Sequence, residues 1–239
     1  MNPEVIDIWS YLAREPLLWL TATLLAYLAG DGISRATGRA PVANPVLIAM
    51  LLLAGLLQAT DTPYADYFEG AQFVHFMLGP ATVALAVPLH AALPRLRGIV
   101  VPMLGALVAG SVTAIVSALL IARALGVEGA ALLSLAPKST TAPVAIGIAE
   151  SIGGLPTLTA ALVILTGIIG AVTVTPLMNG LGIHDWRARG FAAGVAAHGI
   201  GTARAFQVDA TAGAFSGLGM GLNALLTALL APWLVAALF

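Results

Sequence analysis

Long apolar runs separated by short polar loops cover most of the chain of 239 residues. Most of these runs are close to the roughly 20 residues that an α-helix needs to cross a bilayer. Seven runs are predicted as transmembrane helices: residues 16–33, 41–59, 70–93, 98–122, 157–181, 190–206 and 213–239. We therefore predict an all-α polytopic membrane protein that forms one integral membrane domain in the lipid bilayer over residues 1–239.

The composition supports a membrane protein and excludes several other classes. Hydrophobic residues make up 59% of the chain and charged residues only 9%, whereas soluble domains carry roughly 25% charged residues. The chain has no cysteine, which excludes disulfides and thiol chemistry. Its net charge of −1 gives no indication of a nucleic-acid partner. Because no nucleotide-binding or catalytic motif occurs, we expect no enzyme activity, no catalytic residues, no metal and no cofactor.

The only lysine of the chain, Lys138, lies inside an apolar segment. An ionisable group in a membrane segment costs about 2.5 to 3.5 kcal/mol on insertion scales, so by default it indicates a functional site. Pro137 and Pro143 flank this position. Both interrupt a helix, because proline lacks an N–H and clashes with the preceding turn.

Three hydroxyl residues follow the lysine: Ser139, Thr140 and Thr141. Such residues cap helix starts, so the segment predicts a helix end, a polar break and a new helix start. A helix N-terminus carries about half a positive charge and free N–H groups, which favour an anion. Together with Lys138, the break predicts a small anion-binding site near the middle of the membrane. The alternative is a packing kink whose lysine extends to the membrane interface.

The arginines predict that the Lys138 segment is a re-entrant or broken helical hairpin. Pairs at 35/39, 95/97 and 187/189 should all face the cytoplasm. An odd number of apolar segments separates the second pair from the third, so one segment must enter and leave on the same face. Each arm beside Lys138 has only about 9 to 13 residues, roughly 14 to 20 Å of helix. This topology places Glu128, Glu150 and Asp209 on the outer face; a kinked full span is the alternative.

A second helix is predicted to be interrupted by proline, at Gly79-Pro80-Ala81-Thr82. The same order of a small residue, proline and a hydroxyl two positions later occurs at Ala136-Pro137-Lys138-Ser139. Two Pro-interrupted apolar segments in corresponding places indicate a transporter binding site. Ala81 and Thr82 therefore join the Lys138 segment as candidate substrate-binding residues.

Four further polar residues are candidates for substrate binding: His198, Thr202, Arg204 and Asn44. His198 and Thr202 share a helix face at i, i+4 spacing. The imidazole either meets substrate or relays protons, or it bonds to a neighbouring carbonyl. Arg204 suits a planar carboxylate, or it marks the interface. Asn44 either caps a helix start or faces a cavity.

Proton coupling has three candidate carriers. They are His198, whose imidazole titrates near neutral pH, and the two carboxylates Glu150 and Asp209.

A set of short motifs resembles the LrgB/CidB family from about residue 40 to the C-terminus. The motifs are Asn44-Pro45, Tyr67-Phe-Glu-Gly70, Leu78-Gly-Pro-Ala-Thr-Val-Ala-Leu-Ala-Val-Pro-Leu89, Ala136-Pro-Lys-Ser-Thr-Thr141, Ser151-Ile-Gly-Gly154, Arg189-Gly190, His198-Gly-Ile-Gly-Thr-Ala203 and Gly217-Leu218. The resemblance implies a multi-pass protein of the bacterial cytoplasmic (inner) membrane. It also implies a small membrane partner of the LrgA/CidA type; a homo-oligomer is left open.

The resemblance implies two different classes of function. Some family members are linked to movement of pyruvate or acetate, and a plastid relative exchanges glycolate and glycerate, which implies a transporter of small monocarboxylate anions. Others are described as antiholin-like regulators of a holin-like partner, which control murein hydrolase export and lysis. The transport hypothesis comes first because the Lys138 segment predicts an anion site. The regulatory hypothesis predicts that polar groups in mid-membrane are dispensable and that only packing surfaces, such as the glycines at 213, 217 and 221, matter.

Overall fold

The computed structural model describes residues 15–77 and 98–239, with positions 80, 83, 84 and 90 between them. Within these residues every regular element is a helix, as the apolar pattern predicts. The helices are α1 (Pro16–Ala36), α2 (Pro45–Ala59), α3 (Tyr64–Phe76), α4 (Val100–Ala124), α5 (Gly129–Leu133), α6 (Ala142–Ser151), α7 (Pro156–Gly180), α8 (Trp186–Val208) and α9 (Ala210–Leu238).

Four of the described helices are long and apolar enough to cross a membrane: α1, α4, α7 and α9. They confirm four of the seven predicted spans. The predicted span 41–59 forms the shorter helix α2, whose 15 residues extend for roughly 22 Å at 1.5 Å per residue. The predicted interruption at 79–82, which includes Ala81 and Thr82, lies outside the described residues.

The chain divides into two compact units, Met1–Ala86 and Val87–Phe239. In the described part of the first unit, α2 and α3 pack against α1. Trp19 is fully buried and its ring meets Tyr67 edge to face, with 5.8 Å between ring centroids. Gly30 lies against the backbone of Pro45, so α1 and α2 approach closely at a position without a side chain.

In the second unit, residues 129–151 form a helical hairpin, named hairpin 1 here. Its first arm is α5 followed by turns whose N–H groups bond three residues back, and its second arm is α6. The two ends of the hairpin lie together, since the Leu155 N–H donates to Ser134 Oγ at 2.7 Å and Leu133 lies against Gly153. The chain therefore reverses at the Lys138 segment, as predicted, and does not continue as a kinked span.

The predicted span at 190–206 is wrong, because α8 is also a hairpin, named hairpin 2 here. Backbone angles leave the helical region at Ala197 and at His198, which has φ 40° and ψ −133°. The two arms, residues 186–196 and 199–208, then run side by side, with Gly201 packed against Ala193 and Ala197. Hairpin 2 therefore returns to the end of the unit from which it started.

This reversal corrects the predicted position of Asp209 on the outer face. Ala212 lies against Gly190, and Val208 lines the same small cavity as Trp186. Asp209 is thus at the end of the unit that carries Arg187, named the Arg187 end here. A hairpin leaves the unit at the end where it entered, whereas a span leaves at the opposite end. Residues that follow a hairpin therefore lie at the opposite end from the one predicted for a span.

The two hairpins fill opposite halves of the second unit. Hairpin 1 packs on the C-terminal halves of α4 and α9, in a cluster that includes Ile115, Ile148 and Ala231. Hairpin 2 packs on their N-terminal halves, in a cluster that includes Phe191 and Phe215. The tips of both hairpins therefore meet near the middle of the spanning helices.

Cysteine labelling tests this topology in a chain that has no natural cysteine. We expect His184→Cys and Ala210→Cys to face one compartment, the cytoplasm by the positive-inside rule, and Glu128→Cys to face the other. In intact cells, a membrane-impermeant maleimide should label the cysteine at 128 and spare those at 184 and 210 until the membrane is permeabilised. Labelling of the cysteines at 184 and 210 from opposite sides would contradict the reversal at His198.

Candidate functional site

A cavity of about 990 Å³ lies in the second unit between α4, α7, hairpin 2 and the tip of hairpin 1. Asp185 and Arg187 line it at the Arg187 end of the unit, and Lys138 and Ser139 line it at the hairpin tip. Most of the wall between them is apolar. The cavity therefore connects one end of the unit with the predicted anion site.

Lys138 is half-buried and lines this cavity. Its Nζ donates to the hydroxyl of Ser139 at 3.2 Å. Among the residues that the structure describes, no carboxylate lies within ion-pair distance of Lys138. A cation at this depth without a counter-ion is costly, and an anionic ligand in the cavity would offset that cost.

The backbone of the hairpin 1 tip is held by a buried polar network. The amide of Asn223 donates to the carbonyl of Ser139 at 3.1 Å, and its Oδ1 accepts from the hydroxyl of Ser111 at 2.6 Å. Thr227 also donates to this Oδ1, at 3.3 Å. Asn223 is 1% exposed, and it joins the tip to the middle of α4 and of α9.

We expect Asn223→Leu to lower both thermal stability and anion affinity. Leucine fills the space, but it leaves the Ser139 carbonyl and the Ser111 hydroxyl buried without this partner, at about 1–3 kcal/mol for each such group. Thr227→Val is the matched control, because it removes only the longest bond of the network. Melting curves and ligand titrations on both purified variants check the prediction; equal behaviour of the two variants would contradict it.

The hydroxyl residues of the tip take different positions. Ser139 is buried and lines the cavity. Thr140 is fully buried, and both its N–H and its hydroxyl donate to the Pro137 carbonyl at 3.0 Å, so it stabilises the turn. Thr141 is half-buried and is the N-cap residue of α6. The first turn of α6 begins at Ala142, four residues after the lysine, and the helix leaves its first N–H groups without intrahelical partners.

His198 lies at the tip of hairpin 2, and Lys138 lies near enough to act on it electrostatically. The imidazole is buried, and its Nε2 donates to the Val163 carbonyl at 2.9 Å. This bond corresponds to the structural alternative given for His198, in which the imidazole bonds to a neighbouring carbonyl. It also fixes Nδ1 as the ring nitrogen that the Val163 bond does not use. The hydroxyl of Thr202 donates to the His198 carbonyl at 2.8 Å and lies 2.9 Å from Ser216 Oγ, so Thr202 stabilises the reversal.

An ion pair lies at the end of the cavity remote from Lys138. Arg187 Nη2 is 2.6 Å from Asp185 Oδ2, and Asp185 also caps α8 by accepting from the Arg187 N–H. The side-chain hydrogen bond from Arg187 holds the pKa of Asp185 below its usual range. Both groups therefore stay ionised at neutral pH, and the pair adds no net charge to this end of the cavity.

The remaining candidates do not line the Lys138 cavity. Arg204 is buried between the arms of hairpin 2, in a small cavity that it shares with Arg189. Asp209 caps α9 by accepting from the N–H groups of Thr211 and Ala212. Glu150 is exposed near the C-terminus of α6.

Asn44 belongs to the first unit, where it caps α2. Its Oδ1 accepts from the N–H groups of Val46 and Leu47, at 2.9 and 3.2 Å. The capping role that the sequence leaves open is therefore confirmed.

Three further residues belong to the site and were not predicted from the sequence: Ser111, Thr166 and Asn223. Thr166 lines the cavity from α7, and the other two hold the hairpin tip. A single amide inside a strongly apolar run is the signal that identifies Asn223, because an unpaired polar group in mid-membrane is costly.

The family of the chain follows from comparison with known proteins. A model of the LrgB-like family matches residues 23–237. The chain belongs to the LrgB-like family. The resemblance found in the sequence is thus confirmed. Family membership and the four long apolar helices together identify a multi-pass membrane protein.

Several relatives of this LrgB-like chain match over most of their length. Uncharacterized protein YwbG of Bacillus subtilis (strain 168) is 37% identical over 216 residues, which cover 90% of this chain and 96% of YwbG. YxaC of the same organism is 34% identical over 195 residues, or 82% of this chain and 85% of YxaC. Holin-like protein CidB of Staphylococcus epidermidis is 29% identical over 221 residues, or 92% and 96%. No solved structure matches the chain.

Proposed function

We propose that this protein is a secondary transporter of small monocarboxylate anions, of the pyruvate, glycolate, glycerate or acetate type. The observation that carries the proposal is Lys138, a half-buried ammonium that lines a cavity without a counter-ion among the described residues. A cation in mid-membrane indicates a substrate or ion pathway by default. A monocarboxylate carries the single negative charge that balances one ammonium.

The residues of hairpin 1 have distinct roles in this proposal. The ammonium of Lys138 supplies a point charge with three donors. The Ser139 hydroxyl, 3.2 Å from Nζ, offers a further donor to the carboxylate. The N-terminus of α6 adds its partial positive charge. The hydrogen bond from Asn223 to the Ser139 carbonyl holds the backbone of the hairpin 1 tip in place.

The two opposed hairpins suit alternating access to the site. Hairpin 1 enters from one end of the second unit and hairpin 2 from the other, and their tips meet beside the site. Broken helices that meet at the midplane recur in secondary transporters, where one bundle moves against another around a fixed site. Movement of hairpin 2 would control access from the Arg187 end, and movement of hairpin 1 would control access from the opposite end.

Proton coupling through His198 is part of the proposal. His198→Gln retains a donor for the Val163 carbonyl but cannot titrate near neutral pH. We expect the uptake rate of this variant to lose its dependence on pH, while the protein stays folded in the membrane. An unaltered pH profile would leave His198 with its structural bond alone, and Glu150 and Asp209 would become the carriers to test.

The second candidate function is regulation of a holin-like partner, with control of murein hydrolase export and lysis. The names of the relatives favour it, since CidB is called a holin-like protein. The partner would be a small membrane protein of the LrgA/CidA type. On this hypothesis the Lys138 cavity has no substrate, and the surfaces that pack against the partner carry the function.

Uptake into liposomes distinguishes the two candidates. Purified protein is reconstituted alone and tested for uptake of labelled pyruvate, glycolate, glycerate and acetate, with and without a pH gradient. The transport proposal predicts saturable uptake that Lys138→Ala abolishes. An absence of uptake, together with lysis control that is unaffected by Lys138→Ala in cells, would favour the regulatory role.

A further inference from the structure

The cavity that contains Lys138 is polar at its two ends and apolar between them. At the tip of hairpin 1 it is lined by Lys138 and Ser139, and α7 adds the hydroxyl of Thr166 to the lining. At the other end it is lined by Asp185 and Arg187. A ligand bound at Lys138 therefore has its charged group on polar residues and the rest of its surface on apolar ones.

The apolar wall comes from four elements. Its members include Met103 on α4, Leu162 and Ile169 on α7, Phe191 and Val195 on hairpin 2, and Phe215 on α9. Phe191, Val195 and Phe215 also belong to a buried cluster that packs with Met103. This part of the wall is therefore built on packed helices, and its apolar character is a fixed property of the site.

The size of the cavity is also informative. Its volume of about 990 Å³ is at the upper end of the roughly 300–1,000 Å³ that is usual for pockets of drug-sized ligands. Acetate and glycolate fill only a small part of that space. A hydroxyl placed against the apolar wall would lose its water without gaining a partner there.

We propose that the site selects monocarboxylates with an apolar tail, such as straight-chain or branched aliphatic acids, over hydroxy acids of the same size. The carboxylate binds at Lys138 and Ser139, and the tail lies along the wall of Met103, Leu162 and Phe191. This inference rests on the proposed anion site and names the substrate class that the site prefers.

The test is a titration series on the purified full-length protein in lipid nanodiscs. The ligands are acetate, propanoate, butanoate, pentanoate and hexanoate, with glycolate and 3-hydroxypropanoate as hydroxyl-ended matches for propanoate and butanoate. We expect the Kd to fall about fourfold for each added methylene, which corresponds to about 0.8 kcal/mol per buried CH₂. Each hydroxy acid should bind roughly fivefold or more weakly than its match, the factor for about 1 kcal/mol of hydroxyl desolvation.

Two variants separate the tail site from unspecific partition of the longer acids into lipid. Leu162→Asn places an amide in the wall and should flatten the dependence of Kd on chain length. Leu158→Asn is the matched control, one turn earlier on α7 and outside the cavity lining, and should keep the dependence. Lys138→Ala should weaken all members of the series by a common factor.

The outcomes distinguish this inference from the proposed function. Binding that depends on Lys138 but is equal for propanoate and glycolate, or flat along the series, would overturn the apolar-tail preference and leave the anion site standing. Binding that is unchanged in Lys138→Ala, or absent for every acid, would overturn both.

Discussion

Lys138→Ala is expected to weaken carboxylate binding roughly 10- to 150-fold. A charge-assisted hydrogen bond contributes about 1.5 to 3 kcal/mol, and each 1.4 kcal/mol is a tenfold change in affinity. Without the ammonium, the anion retains only the Ser139 hydroxyl and the N-terminus of α6. Lys138→Arg should bind better than the alanine variant but worse than wild type, because the planar fork is bulkier than an ammonium. Lys138→Gln should resemble alanine.

The stability of the ligand-free protein separates a binding lysine from a structural one. Removal of a half-buried charge without a described counter-ion should leave the melting temperature nearly unchanged or raise it. If Lys138 instead holds the fold together, Lys138→Ala lowers the melting temperature, and the folded fraction binds normally. Binding and melting measured on the same purified variants give the answer, and unchanged affinity in folded Lys138→Ala would contradict the anion site.

Gly194→Ala is expected to cause a large loss of stability in the second unit. Gly194 is on the first arm of hairpin 2, and a methyl group there would meet the Ser216 carbonyl and the Met220 N–H of α9. Backbone atoms of a packed helix cannot move aside as a flexible side chain can. Overpacking costs about 1–3 kcal/mol and more where nothing yields, so we expect a loss of roughly 3 kcal/mol or more.

Gly105→Ala is the matched control for this prediction. Gly105 is inside α4 and has no neighbour within 4 Å of an added methyl group. Alanine there should stabilise the helix by about 0.5–1 kcal/mol. Thermal unfolding in detergent compares the two variants; a Gly194→Ala protein that melts with the wild type would contradict the close contact between hairpin 2 and α9.

The Lys138 hairpin was predictable because its break is made by residues with strong local rules. Pro137 and Pro143 prevent a continuous helix, and the arginine distribution requires a reversal somewhere between residues 97 and 187. The spans α1, α4, α7 and α9 were also predictable, because the length and hydropathy of an apolar run are enough to identify a membrane-spanning helix.

Hairpin 2 was not predictable, because no proline marks its tip. The reversal occurs at His198, a residue that rarely adopts φ 40°, and the packing around it imposes that conformation. Gly201 allows the second arm to approach Ala193, and Gly190 and Gly194 allow α9 to approach the first arm. Glycines at helical spacing allow a close approach on one face, but the spacing does not tell whether the neighbour is another helix or the returning arm.

The packing surface predicted for α9, formed by the glycines at 213, 217 and 221, shows the same limit. Gly213 packs against the ring of Phe206, and Gly219 lies against the Phe191 carbonyl. Gly221, which belongs to the predicted packing surface, has nothing within 4 Å of an added methyl group. Glycine spacing therefore predicted close packing of α9, whereas the contacting positions depend on the course of hairpin 2.

The most direct test uses the fact that the chain has a single lysine. Protein labelled with ¹⁵N at the lysine side chain gives one Nζ resonance, and solid-state NMR in lipid measures its dipolar coupling to pyruvate or butanoate labelled with ¹³C at the carboxylate. A charge-assisted N–O distance of about 2.7–2.9 Å places the carboxylate carbon roughly 3.5–4 Å from Nζ. We expect dephasing of the Nζ signal that corresponds to this distance. No dephasing at saturating concentrations of both acids would contradict the carboxylate site at Lys138.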